Sequence, residues 1–480
     1  MLNQDTAPLF DAVKAYLKVD HAPFYMPGHK RGQGIDPEFA ALLGENLFRL
    51  DLPELPGLDR AVAAAEDLAA AAYGADRTWF LVNGSTCGIE SMVLAACQPG
   101  DKILLGRNCH KAAIAALILS GAVPIYLETE YNAKFDLDCG VSPHTVQKAL
   151  LAHADAKAVL IVSPNYYGIC GDIEKIAAIA HAHHVPLLVD AAHGAHLSFH
   201  PDLPIAALQA GADLVVQSTH KVTSGLTQAS MLHLQGNAIA SDRVSQALQL
   251  VQSTSPNLML LTSLDVARRQ MALHGCELLD RTIALANQAR SQISQVQGFS
   301  TFDRSQVRTL DPTRLTVMVD PRLGLTGFDV DTMLHSSLGV MPEMPTLTQL
   351  VFILSLGNRA SDIERLMSAL KKISESIPSA IANHSTAGKV PLKDPLILDP
   401  IVRITPRNAF FAQRDRLLFA AAIGRISTEL VCPYPPGIPI LCPGEEITVD
   451  VVAYLQRVKQ AGGIINGCSD PSLETIQVVR

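Results

Sequence analysis

Aromatic residues are scarce in this chain, at 5%, with a single Trp among 480 residues. Charge is thin too: 18% of residues, 38 basic against 46 acidic, for a formal net charge of −8. Without a basic excess the chain lacks the positive stripe that nucleic-acid binding needs. A membrane-spanning helix needs about 20 apolar residues. The best candidate, Ala112 to Leu127, is shorter and is broken by Ser120, Gly121 and Pro124. The first residues carry Asp5 and Asp11 and no basic segment ahead of an apolar core, so they do not read as a signal peptide. No CxxC occurs, and the nine cysteines are odd in number and scattered. That usage excludes a disulfide scaffold and a zinc ribbon, and it points to a reducing cytoplasm.

What the chain does have is apolar mass: 48% hydrophobic residues and a mean hydropathy of +0.21. With neither a membrane span nor disorder to account for it, the apolar content implies a doubly covered sheet, extensive subunit contact, or both. The length suits two or three domains. Residues 1–60, rich in Pro and Gly, read as a packed N-terminal arm, 61–310 as a large domain and 311–480 as a smaller α+β domain. A Pro-rich polar stretch, 377–400, reads as an exposed loop.

Within the large domain, apolar runs alternate with helical patterns. Strands are expected at 78–82, 102–106, 123–127, 156–163, 185–190 and 212–218. Helices are expected at 58–73, 85–97, 111–120, 173–184 and 205–210. A further, antiparallel strand is expected at 231–235, then a long helical region over 238–297. The runs are unbroken rather than alternating, which means burial on both faces. The fold class is therefore α/β, with a mainly parallel sheet of about seven strands between helix layers. The second region adds strands at 314–320 and 350–356 and helices at 362–376 and 451–461.

Ligands in such sheets bind beyond the carboxyl ends of the strands. The residues found there are Asn83-Gly84-Ser85-Thr86, Arg107 to Lys111 with His110, Pro164 to Gly168, Asp190 with Ala192 and His193, and Ser218 with His220 and Lys221. Each has an ordinary structural reading: an N-cap, a core histidine, a surface lysine. Together they suit pyridoxal phosphate. Gly84-Ser85-Thr86 opens a helix, where backbone N–H groups can receive a phosphate. Asp190 can keep the pyridine nitrogen protonated, His110 can stack on the ring, and Lys221 can supply the Schiff-base amine.

The chain resembles the Orn/Lys/Arg decarboxylase family, whose members are fold-type I, aspartate aminotransferase-like enzymes. The resemblance rests on FYMPGHKRG (24–32), FLVNGSTCG (80–88), RNCHK (107–111), SPNYYGICGDI (163–173), VDAAHGAH (189–196), STHKVTSGLTQAS (218–230) and YPPGIPILCPGE (434–445), in family order across nearly the whole chain. It implies Lys221 as the Schiff-base lysine, Asp190 at the pyridine nitrogen and His110 on one ring face, with Ala192 against the other. It places Ser85, Thr86, Ser218 and His220 on the phosphate. His193 stands where some relatives carry Trp, and Cys87-Gly88-Ile89 departs from a small residue, Gly and Asn. His29 and Glu445 fall at the substrate end. The implied reaction is decarboxylation of arginine, lysine or ornithine, with arginine ranked first and with Lys221 or His110 returning the proton. A homodimer or larger homo-oligomer is implied as well.

The alternatives are an aminotransferase or aldolase of the same fold, a cofactor-binding relative without activity, and a metal hydrolase. The first would need a C-terminal arginine for the α-carboxylate, and Arg403 or Arg407 could be mistaken for it. For the last, the ligands would come from His193, His196 and His200. The cofactor set explains those histidines better, and no metal is expected. His181, His183 and His184 end a helix, where histidine suits the dipole.

Overall fold

The computed structural model describes residues 2–18, 30, 33, 36–43, 47, 50–52, 57–307, 309–376, 400–434, 437–460 and 462–480. His29, most of the FYMPGHKRG stretch, residues 377–399 and two prolines of YPPGIPILCPGE lie outside the described residues.

In chain order the main elements are helix α1 (Pro8–Leu17), α2 (Leu58–Tyr73), strand β1 (Arg77–Leu81), α3 (Gly84–Ala96), β2 (Lys102–Gly106), α4 (Lys111–Ser120), β3 (Val123–Leu127), α5 (Pro143–Ala152), β4 (Ala158–Val162), α6 (Ile173–Ala182), β5 (Leu187–Asp190), β6 (Leu214–Gln217) and β7 (Ser230–Leu234). Then come α7 (Ser241–Val251), α8 (Leu258–Ile293), β8 (Phe299–Ser300), β9 (Arg314–Val319), β10 (Met344–Pro345), β11 (Gln349–Ile353) and α9 (Ala360–Ser376). The last part holds α10 (Pro406–Phe411), β12 (Arg414–Leu418), β13 (Cys432–Tyr434), α11 (Val449–Gln460), β14 (Ile464–Asn466) and β15 (Thr475–Val479).

The chain forms two compact units, Met1–Ala95 with Val189–Leu279, and Ala96–Leu188 with Asp280–Arg480. The first unit holds four sheet strands in the order β1-β7-β6-β5, and the second holds three in the order β4-β2-β3. β7 runs antiparallel to both neighbours, with Thr78 opposite His233 and Val215 opposite His233. In the second unit β2 pairs parallel with β3 and with β4. Every residue of β5, β6 and β7 is buried, the burial that the unbroken apolar runs require.

In the first unit, α2 stops at Gly74, which takes the left-handed conformation (φ 77°) where an L side chain would be strained. The chain-start helix α1 is capped by a distant residue. Its N-cap, Ala7, has no capping side chain, and Asp265 on α8 accepts from Leu9 N at 3.0 Å and Phe10 N at 3.3 Å. Asp265 also pairs with Arg268 at 2.5 Å, both fully buried. Arg268 in turn donates to the carbonyls of Gln4 and Thr6.

In the second unit, an antiparallel sheet in the order β8-β9-β11-β10 packs on α9. That helix buries Ile363, Leu366, Met367, Leu370 and Ile373, spaced three and four apart so that they share one face. A smaller core joins Phe419, Val431, Ile447, Leu455 and Ile476.

Two expectations are corrected. Residues 205–206 are irregular and 207–210 form a turn, where a helix was expected over 205–210. Pro204 and Gly211 bracket a stretch too short to offset helix nucleation. The helical region 238–297 is two helices, because Pro256 disfavours helical backbone at the residue before it. Asn257 then restarts α8 by accepting from Met259 N and Leu260 N. The sequence reading did not include α5, which Ser142 caps at 3.2 Å ahead of Pro143.

Candidate active site

The first unit brings most of the predicted residues together. β1 runs into α3, whose first N–H groups have no helical partners. Ser85 in that first turn is buried, with its Oγ 2.7 Å from Ser218 Oγ and 3.3 Å from Ser230 Oγ. Thr86 stands on the exposed side of the same turn. Gly88 lets α3 approach the sheet: a Cβ there would meet Val216 Cγ2 at 2.5 Å and Leu81 Cδ1 at 2.9 Å. The departure of Cys87 and Ile89 from the family pattern leaves that approach intact, since both side chains are buried. Burial pushes the Cys87 thiol up to about 12, so it is no thiolate nucleophile at neutral pH.

Asp190 ends β5 fully inside the protein, and its Oδ1 accepts from Ala192 N at 3.1 Å. Burial pushes its carboxyl upward, and the Lys221 charge opposes that push. Lys221 sits in the one-turn helix Thr219–Val222 directly after β6. Its Nζ lies 3.1 Å from His193 Nε2. The neighbouring His220 ties the turn down, with Nδ1 2.9 Å from the Ala229 carbonyl. Burial depresses its pKa, so it is a neutral ring donating through Nδ1. Ser218 N bonds the Ala192 carbonyl at 3.3 Å, joining the two loops. Gly84, Ser85, Thr86, Asp190, Ala192, His193, Ser218, His220 and Lys221 all belong to this unit.

The remaining described candidates belong to the second unit. His110 caps α4, its Nδ1 accepting from Ala112 N at 3.2 Å. Arg107, after β2, donates to the Ile440 carbonyl at 3.1 Å and to Glu445 Oε2 at 3.2 Å. Glu445 Oε2 also accepts from Cys442 N at 2.8 Å, so this buried pair clamps the turn 440–445. Among the described residues Glu445 Oε1 has no hydrogen-bond partner. Sequence reasoning missed Asp138, which gathers two strand-end turns. It accepts from Asn108 Nδ2 at 2.6 Å and Gly140 N at 3.0 Å, and its carbonyl accepts from Asn165 Nδ2 at 2.7 Å. No local signal marks an acid in such a role. It also missed His233, although a lone histidine in an apolar strand is such a signal.

The arginines of the aminotransferase alternative are engaged elsewhere. Arg407 donates to the carbonyls of Ile118 and Leu119 at the end of α4, and Arg403 pairs with Glu446 at 2.6 Å. Among the described residues, His193, His196 and His200 do not gather as a set of ligand atoms. His181, His183 and His184 end α6 as expected.

A lysine, a buried carboxylate, an imidazole and a pair of serine hydroxyls at a helix start are the donor set that pyridoxal phosphate requires, so these residues fit that group.

The Orn/Lys/Arg decarboxylase major-domain model matches residues 7–316, and the C-terminal-domain model of the same family matches 400–468. The chain is similar to arginine decarboxylase of Bacillus subtilis, 38% identical over 100% of this chain and 99% of that one. It is likewise similar to arginine decarboxylase of Bacillus anthracis, 37% identical over 100% and 98%. Among solved structures, lysine decarboxylase A of Pseudomonas aeruginosa superimposes with a TM-score of 0.84 at 22% identity, over 98% of this chain and 80% of that one. The Francisella novicida lysine decarboxylase gives 0.82 at 22%, over 99% and 81%. These likenesses establish the α/β fold with its smaller C-terminal part. On the matched models and on relatives that share more than a third of its residues, the chain belongs to the Orn/Lys/Arg decarboxylase family and is a decarboxylase of basic amino acids.

Proposed function

We propose that this decarboxylase is pyridoxal phosphate-dependent and converts arginine to agmatine and carbon dioxide, a first step toward polyamines. The observation that carries the proposal is the Lys221–His193 pair beside buried Asp190 and the Ser85–Ser218 hydroxyls. The choice of arginine is supported by four relatives at 35–38% identity that are all named arginine decarboxylase, whereas the relatives at 23–25% include both lysine decarboxylases and a biodegradative arginine decarboxylase.

When bound, the cofactor supplies an electron sink for the pair released as the Cα–carboxylate bond breaks. Lys221 would anchor it. Asp190 would hold the ring nitrogen protonated, and Ser85, Ser218 and the start of α3 would receive the phosphate, with Thr86 and His220 flanking. Ala192 would lie against one ring face. The family resemblance assigns His110 to the other face and His29 to the substrate end. Glu445 would act there through Oε1, since Oε2 is committed to Arg107. Either Lys221 or His110 would return the proton to Cα. The reading also carries a cytoplasmic setting, for which nine free cysteines argue, and a homodimer or larger homo-oligomer. Among the described residues no helix is long and apolar enough to cross a membrane.

The test is product analysis with arginine, lysine and ornithine side by side, scoring carbon dioxide, the amine formed and any transfer of the amino group to a keto acid. Agmatine with stoichiometric carbon dioxide is the expected result. Preference for lysine or ornithine overturns the substrate choice. Amino transfer without carbon dioxide, or full activity in cofactor-free protein, overturns the mechanism.

A further inference from the structure

A row of three polar side chains crosses the apolar sheet of the first unit. Thr78 on β1, His233 on β7 and Gln217 on β6 are all almost completely buried. Thr78 and Val215 both lie opposite His233, so Gln217, two residues beyond Val215, shares their face. Thr78 Oγ1 is 2.8 Å from His233 Nδ1, and His233 Nε2 is 3.2 Å from Gln217 Oε1. Gln217 Nε2 donates to the Gly194 carbonyl at 3.5 Å. The Tyr73 ring covers the imidazole, with centroids 4.7 Å apart.

The direction of the row follows from the chemistry. Burial pushes His233 down to about 3, so at neutral pH its ring is neutral and carries a single N–H. That N–H, on Nε2, donates to the Gln217 carbonyl oxygen, and Nδ1 accepts the Thr78 hydroxyl proton. The Gln217 amide is thereby oriented with its NH2 toward Gly194. All three bonds run one way and end on the carbonyl next to His193. Three apolar residues of similar shape would satisfy a sheet interior at no loss of stability, so packing alone does not call for this row.

We propose that Gln217, oriented by His233 and Thr78, is a positioning residue for His193: by holding the Gly194 carbonyl it fixes the turn from Ala191 to Gly194, from which His193 reaches Lys221 Nζ. The turn closes on itself through Gly194 N and the Ala191 carbonyl at 2.8 Å, so a constraint on Gly194 is passed to His193. The inference rests on reading Lys221 as the reactive amine. Among the described residues, Asp190, His193 and His220 are charged or titratable groups that act on that amine.

The test is competitive acetylation of Lys221 in the full chain, stripped of any bound cofactor so that the amine is free, across a pH series, read by peptide mass spectrometry, with the melting temperature recorded in parallel. Gln217→Met is expected to displace the labelling midpoint of Lys221 in the same direction as His193→Ala, by on the order of half a pH unit. The double variant is expected to move no further than His193→Ala alone, because the two residues act through one path. Thr78→Val, a milder change, is expected to move the midpoint the same way by less, and it decides the question if Gln217→Met fails to fold. A wild-type midpoint in both Gln217→Met and Thr78→Val, or a double variant displaced by the sum of its parts, overturns the proposal. A lowered melting temperature with an unmoved midpoint marks a purely structural row and overturns it too. The labelling needs no cofactor. A chain that never binds pyridoxal phosphate at Lys221 therefore defeats the reading under Proposed function, while the midpoints still decide the role of Gln217.

Discussion

His193 Nε2 lies 3.1 Å from Lys221 Nζ, although 28 residues separate them and they follow different strands, His193 in a turn and Lys221 in a one-turn helix. The amine is therefore held where its proton can be exchanged with an imidazole. Replacing His193 with Ala removes that partner and leaves the lysine in place. The expected loss in kcat is about 10²-fold, the scale of one positioned acid–base group, with the pH–rate profile displaced. Lys221→Ala is expected to abolish both activity and the cofactor's absorbance band. A His193→Ala enzyme with wild-type rates at every pH would remove His193 from the chemistry.

Asp190 is buried and carries one main-chain hydrogen bond from Ala192 N. Asp190→Asn keeps that bond and deletes the charge. The expected outcome is a fall in kcat of at least about 10²-fold, typical for loss of one preorganised electrostatic contact, with the fold retained in circular dichroism. Near-wild-type turnover would show that the carboxylate is only a loop cap.

Asp265 and Arg268 are fully buried and bind the N-terminal helix to α8. Asp265→Ala strands a buried guanidinium and uncaps α1 together. The expected cost is about 3–5 kcal/mol, measured by urea denaturation, with faster hydrogen exchange at the amides of Leu9 and Phe10. Unchanged protection at those two amides would contradict the capping role.

Glu66 on α2 accepts from Phe80 N at 2.8 Å, and burial pushes its carboxyl from 4.5 up to about 7. The folded chain therefore holds a proton that the unfolded chain releases between those two values. The sign follows from linkage: this contribution is fully present below pH 4.5 and is lost as pH rises through about 7. Glu66→Gln keeps the acceptor and removes the titration. It is expected to flatten the fall in stability across that window, by on the order of 2 kcal/mol after allowance for partial exposure. Parallel slopes for the two proteins in a denaturation series would refute the assignment.

Arg407 is exposed and donates to the carbonyls that end α4. If it does not bind a substrate carboxylate, Arg407→Ala leaves KM for the amino acid within about two-fold, the usual reach of a surface substitution. A KM raised by an order of magnitude would revive the aminotransferase alternative.

The main sheet was legible because strand-length apolar runs leave a direct mark: KILLG and VPIYL coincide with β2 and β3. Strand-end residues such as Asp190 and Lys221 were legible for a related reason, since the strand before each one sets its position. The apolar run MLHLQ was readable as a further strand too, and the pairing confirms it as antiparallel. The 205–210 segment misled because an apolar stretch between Pro and Gly has helical spacing without helical length. The role of Asp138 had no local signal, because its partners Asn108 and Asn165 lie 30 and 27 residues away.

From the sequence by itself came the fold class, the family and the candidate residues at the strand ends, because periodicity and strand ends are local properties of the chain. Only the tertiary structure decided which groups meet: Lys221 with His193, Ser85 with Ser218, Asp265 with the start of α1, Arg107 with Glu445. Each pair is distant in sequence. A hydrogen bond depends on distances of a few ångströms and on the orientation of both partners, and those are set only when the strands and helices pack.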